Sequence, residues 1–195
     1  MMSEITKKHH FEEVFDSQRV YRLLLTAISN PTRIVNIKQY ADKLYGDYQA
    51  MLALAMTVLD NEVSFSACDN SELSNEIVFL TLCKREALEN ADYIFLTEPS
   101  ALEAVITAAK CGTLRDPHKS ATIIIENSGS AACRLRLYGP GIEGVAEFRA
   151  SDIVKKALDI RDGQFYEYPQ GIDFIFVSEN GEVFALPRLT RREVL

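Results

Sequence analysis

No stretch of this sequence is apolar for long enough to cross a membrane. The most apolar helical segment, Ala50 to Leu59, is about half the length that a bilayer demands. The opening residues, MMSEITKKHHF, carry lysines with no apolar core behind them, so they do not read as a secretion signal. A basic excess is missing as well. Lys and Arg number 21 against 28 Asp and Glu, for a formal net charge of −7. General nucleic-acid binding needs a basic surface, which this balance argues against; one small basic pocket stays compatible with it. Cysteine is sparse: Cys68, Cys83, Cys111 and Cys133 form no C-x-x-C pair, and no histidine stands at metal-ligand spacing from them. Four reduced, mostly buried thiols are expected, and no metal site. The G-x-x-x-x-G-K-[ST] loop, the dinucleotide fingerprint, the G-x-S-x-G elbow and HExxH are all absent. These absences lead to the expectation of a soluble cytoplasmic protein, with neither membrane nor nucleic acid as a partner.

What is present suits one α/β domain. The chain has 195 residues and is 47% hydrophobic, enough for a single sizeable core. Residues 1–11 read as a loosely held tail, with His9 and His10 solvated, and residues 12–195 as the domain. Asp16 or Ser17 is placed to cap a helix running to Ser29, before Asn30-Pro31. Its apolar side is Val20, Leu23, Leu24, Ala27 and Ile28; its polar stripe is Arg19, Arg22, Thr26 and Ser29. Further helices are expected over Ala50 to Leu59, Glu72 to Cys83, Pro99 to Lys110 and Ser151 to Ile160. Strands are expected near Arg33 to Ile37, Val63 to Ala67, Tyr93 to Leu96, Ala121 to Glu126 and Arg134 to Tyr138. Asn180-Gly181 between apolar runs predicts a closing hairpin of Ile172 to Val177 with Val183 to Leu186. The result is a mixed β-sheet with helices packed on it.

Several stretches carry groups that could do chemistry. The loop GPGIEG, Gly139 to Gly144, either turns the chain tightly or faces an anion with its amides. Arg134 and Arg136, two apart, share one strand face. They are either solvated or aimed at a carboxylate, a phosphate or an acidic partner subunit. Arg188, Arg191 and Arg192 invite the same two readings. GTLRDPHKSATIII gathers Arg115, Asp116, His118, Lys119 and Ser120 in a loop entering a strand, where an Asp-Pro turn is the simpler reading. In YPQGIDFIFV, Asp173 opens an apolar run. An acid there either does chemistry or braces the chain, by accepting backbone N–H groups or by pairing with an arginine.

Four blocks together resemble the PhnH family, the H subunit of the bacterial carbon–phosphorus lyase system. They are FDSQRVYRLLLTAISNPTRI, GTLRDPHKSATIII, RLRLYGPGIEG, and YPQGIDFIFV with FALPRLTRREV. The resemblance implies a fold similar to that of pyridoxal-phosphate-dependent transferases, without the cofactor. It implies a homodimer that joins the G, I and J subunits of a core complex. With the G, I and L proteins, it implies service in moving ribose triphosphate from ATP onto methylphosphonate. It carries over no catalytic residue. Two functions are weighed: a structural and assembly subunit, or a subunit with its own ribose-phosphate or phosphonate pocket. Arg22, Arg136, Tyr138, Asp173 and Arg188 are the candidate ligand-binding residues for that pocket. A residual pyridoxal site would need Lys38 or Lys119.

Overall fold

The runs of Ile, Val and Phe form the centre of a mixed sheet because β-branched and aromatic side chains suit a pleated, buried surface. The computed structural model describes residues 9–68 and 70–193. Its strands in chain order are β1 (Val35–Asn36), β2 (Ser64–Ser66), β3 (Lys84–Arg85), β4 (Tyr93–Leu96), β5 (Thr122–Glu126), β6 (Cys133–Tyr138), β7 (Ala146–Ala150), β8 (Asp173–Val177), β9 (Glu182–Leu186) and β10 (Arg191–Arg192). Seven form one sheet in the order β1-β9-β8-β5-β4-β2-β3, and three form a second in the order β10-β6-β7. In the main sheet β3, β2, β4, β5 and β8 are parallel. β9 runs against β8, and β1 against β9.

The helices are α1 (Phe15–Ser29), α2 (Lys38–Ala41), α3 (Gln49–Val58), α4 (Ser71–Thr81), α5 (Leu102–Ala108) and α6 (Asp152–Gly163). Alternation along each strand divides the core between the two sheet faces. Phe65, Phe95, Ile124, Ile175 and Val177 pack with α1, α3 and α4. Ile123, Ile125, Phe174 and Phe176 pack with α5, α6 and the second sheet. That second sheet is tied in by aromatic contact: Phe148 lies 4.9 Å from Phe184, which stacks on Phe176 at 5.0 Å.

Local chemistry shifts several expected boundaries. α1 starts one residue before Asp16 and has no side-chain cap. Asp16 is instead buried in the first turn, accepting from the Glu12 N–H at 2.9 Å and from Lys43 Nζ at 2.7 Å. Burial alone would raise this carboxyl; the Glu12 N–H and the Lys43 ammonium outweigh it and hold Asp16 below the usual range. The helix expected over Pro99 to Lys110 is a 3₁₀ turn, Pro99–Ala101, followed by α5 ending at Ala108. Of the cysteines only Cys83 is buried; Cys68, Cys111 and Cys133 are half-buried.

Residues 1–8 of the expected tail lie outside the described residues. His9, expected in solvent, is half-buried against the loop after α2; His10 is exposed, as expected, and is tied to that loop through its backbone. The Tyr45 N–H donates to His9 Nδ1 at 3.1 Å, and the His10 N–H to the Lys43 carbonyl at 2.8 Å. Phe11 inserts into the core, which anchors the segment. Among the described residues no helix is long and apolar enough to cross a membrane.

Candidate functional site

The four quoted blocks are scattered through the chain, yet each contributes to one cleft of about 480 Å³. Ile28 and Ser29 come from the end of α1, Pro117 and His118 from a 3₁₀ turn before β5, and Pro140 and Gly141 from the GPGIEG loop. Pro169 and Asp173 come from the entry to β8, and Pro187 to Thr190 from the exit of β9. Four prolines with Ile28 and Leu189 make the walls largely apolar.

Asp173 and Arg188 meet in this cleft. The Arg188 backbone N–H donates to Asp173 Oδ1 at 2.7 Å. Its Nε lies 3.2 Å from Oδ1 and 3.1 Å from Oδ2, and Nη2 donates to Oδ2 as well. Nη1 donates to the Pro117 carbonyl at 2.6 Å. Both ways an acid can brace a chain, a backbone N–H and an arginine, are used at once. Gly171 permits the approach: at φ +146°, a Cβ there would lie 2.9 Å from Arg188 Cβ. Both side chains are mostly shielded, at 27% and 18% exposure. Asp173→Asn is therefore expected to lower stability by about 1–3 kcal/mol in urea unfolding, the cost of an impaired, half-buried, charge-assisted hydrogen-bond set. An unchanged unfolding midpoint would show that the pair does not brace the fold.

Sequence reasoning missed Arg161, the residue behind this wall. It is 2% exposed. Its Nη1 donates to the carbonyls of Leu186 (3.3 Å) and Pro187 (3.2 Å), and its Nη2 to that of Thr190 (2.6 Å). The guanidinium stacks on Phe174 at 5.3 Å. Burial pulls its pKa below the usual arginine value, against the raising effect of Asp162. A signal existed: Val154, Ala157, Leu158 and Arg161 follow the spacing of one apolar helix face, and an arginine on such a face needs buried partners.

The other candidates stand apart. Arg22 is exposed on α1, because Val20, Leu24 and Ala27 take the core side. Arg136 and Tyr138 point to solvent from β6, because Leu135 and Leu137 take the inner face; Arg136 pairs with Glu193 at 2.5 Å. Arg192 pairs with Asp159 and Asp162. Lys38 and Lys119 sit in exposed ion pairs with Asp42 (3.1 Å) and Asp116 (3.4 Å). The GPGIEG loop serves as a tight turn: Gly139, Gly141 and Gly144 all have positive φ. Among the described residues, no group of three or more His, Cys, Asp or Glu is placed to hold a metal ion.

A second cavity, of about 510 Å³, opens at the carboxyl ends of β5 and β8, where sheets of this kind often place ligands. Tyr48, Glu126 and Glu179 line it. Burial first, then the charges of Glu179 and Glu98, push the Glu126 carboxyl up.

Comparison with known proteins agrees with the convergence of the blocks. The profile of the bacterial phosphonate metabolism protein family PhnH matches residues 9–193. A putative C-P lyase subunit protein, HtxG, of Stutzerimonas stutzeri is 28% identical over 174 residues, covering 89% of this chain and 84% of that protein. The chain belongs to the PhnH family of bacterial phosphonate metabolism proteins.

Proposed function

We propose that the chain is a structural and assembly subunit of the carbon–phosphorus lyase system and does not catalyse a reaction alone. The Asp173–Arg188 pair carries this reading. The charged groups of the shared cleft are engaged with each other, with a backbone N–H and with the Pro117 carbonyl. What the cleft offers outward is mostly apolar wall; His118 is the one titratable group of its lining outside the Asp173–Arg188 pair. The name of the Stutzerimonas relative supports the same system. The partners are the G, I and J subunits of a core complex in the cytoplasm. The step served, with G, I and L, is transfer of ribose triphosphate from ATP to methylphosphonate. A second copy of the chain is a further partner; the exposed Tyr21, Leu25 and Ile28 on α1 support protein contact. Residues 12–195 act as one domain, supported by the Phe148–Phe184 contact between the sheets. A relation to pyridoxal-phosphate-dependent transferases without the cofactor is part of the proposal, supported by a seven-stranded sheet in which β9 alone is reversed.

The test is co-expression with the G, I and J proteins, followed by the mass of the purified assembly with and without this chain. Stoichiometric incorporation is expected. A chain that stays outside the assembly would sink the reading. One observation favours a second function, the ligand pocket: the Thr190 hydroxyl is buried in the cleft wall without a hydrogen-bond partner among the described residues. Calorimetric titration with methylphosphonate, on wild type and Thr190→Val, separates that function from the first.

A further inference from the structure

The second sheet has a solvent face that reverses the charge of the chain. Strand alternation puts Leu135, Leu137, Phe148 and Ala150 inside, so Arg134, Arg136, Tyr138, Glu147 and Arg149 face out. Arg191 pairs with Tyr138 across the β10–β6 ladder and adds a fourth arginine. Four arginines thus stand here with two glutamates, Glu147 and Glu193, on a chain whose formal net charge is −7.

The two acids cluster around one arginine. Glu193 pairs with Arg136 at 2.5 Å, and Glu147 is the cross-strand neighbour of the same residue. Arg134 and Arg149 are left directly opposite each other in the β6–β7 register. Neither has an ion pair or side-chain hydrogen bond among the described residues. Like charges in that position destabilise an antiparallel ladder, since their Cβ atoms lie only about 5 Å apart. Glu147, two residues from Arg149 on the same face, forms no ion pair with either arginine among the described residues.

We propose that this face docks a carboxylate-rich surface of a partner protein, which supplies the missing counter-charge to Arg134 and Arg149. The inference rests on the assembly reading above. A flat sheet face fits a protein surface better than a small molecule, which is held in a concavity. Arginine and tyrosine are the residue types that anchor such contacts. A single-stranded nucleic acid would call for a series of aromatic platforms, and this face has Tyr138 alone.

The test uses Arg134→Glu and the double variant Arg134→Glu/Arg149→Glu in the full chain. Labelled chain is titrated with the co-purified G, I and J proteins at low and raised salt. Arg134→Glu alone places opposite charges across the ladder, so its melting temperature should equal or exceed that of wild type. The double variant should bind the assembly about tenfold more weakly or worse, and wild-type binding should weaken as salt rises. Equal binding by wild type and double variant would overturn the docking face and leave the assembly reading intact. Failure of wild type to bind would overturn both. Two further controls bear on the occupant. Loss of self-association in the isolated double variant would make it a second copy, and loss of binding to a labelled single-stranded RNA would make it nucleic acid. Either result would overturn the proposal.

Discussion

Arg161→Met should destabilise the protein by about 3–5 kcal/mol, because it removes the one charged donor that three backbone carbonyls of a buried segment share. The guanidinium holds the carbonyls of Leu186, Pro187 and Thr190. Two opposing effects decide the size. Methionine removes the cost of keeping a cation away from water, which works in favour of the variant. Against this stand three lost hydrogen bonds to a charged donor and the lost contact with Phe174. Replacing a buried charge by an apolar side chain is near neutral when its partner is replaced too. Here the partners are backbone and cannot be removed. Urea unfolding measures the change; a loss under about 1 kcal/mol would mean that the desolvation cost cancels the clamp. The consequence reaches the cleft, since the clamped segment carries Arg188. In Arg161→Met, Asp173→Asn should then add less than it does in wild type, because the two changes act on one segment.

The core of the fold was legible because period 2 is hard to mimic. Ile123 and Ile125 on one face, Ile124 on the other, and Phe174, Phe176 against Ile175, Val177 fall as alternation demands. The Asn180-Gly181 turn was legible from the residue types: Gly181 has φ +73° and its N–H donates to the Ser178 carbonyl. The hairpin that this turn closes also carries the central pair of the cleft, at its open end. In its register Phe174 faces Leu186, and one step outward sets Asp173 beside Pro187 and Arg188. Residue type alone marks both as candidates; only the register brings them together. β3 and β10 have two residues each, too few to show any period. β7 does alternate, with Phe148 and Ala150 inside; the glycine-rich loop before it hid its start. Sheet order was not readable, because β1 pairs with β9 from the far end of the chain, and such contacts leave no local trace. Arg22, Arg136 and Tyr138 have the charge or polarity a ligand site needs, but strand or helix phase turns them away from the cleft.

Gly141→Ala should cost about 2–4 kcal/mol, and Gly144→Ala only about 1 kcal/mol, although both residues lie in one loop and both have positive φ. The shared part is conformational: φ is +81° at Gly141 and +66° at Gly144, a region that a Cβ disfavours. The difference is steric. A Cβ at Gly144 meets nothing within 4 Å. At Gly141 it would collide with the Ser29 carbonyl oxygen and lie 2.8 Å from Pro31 Cδ. Neither obstacle is the free end of a flexible side chain, so the loop or the end of α1 has to move. Both line the cleft, through Gly141, Ile28 and Ser29. Thermal and urea unfolding of the two variants, side by side, isolates the close approach from the backbone penalty. Equal losses would mean that the loop yields without strain and that its glycines serve only to turn the chain. The expected inequality ties the loop to α1 as a fixed wall. In that case Gly141→Ala, and not Gly144→Ala, should also weaken incorporation into the assembly at temperatures where both variants are fully folded.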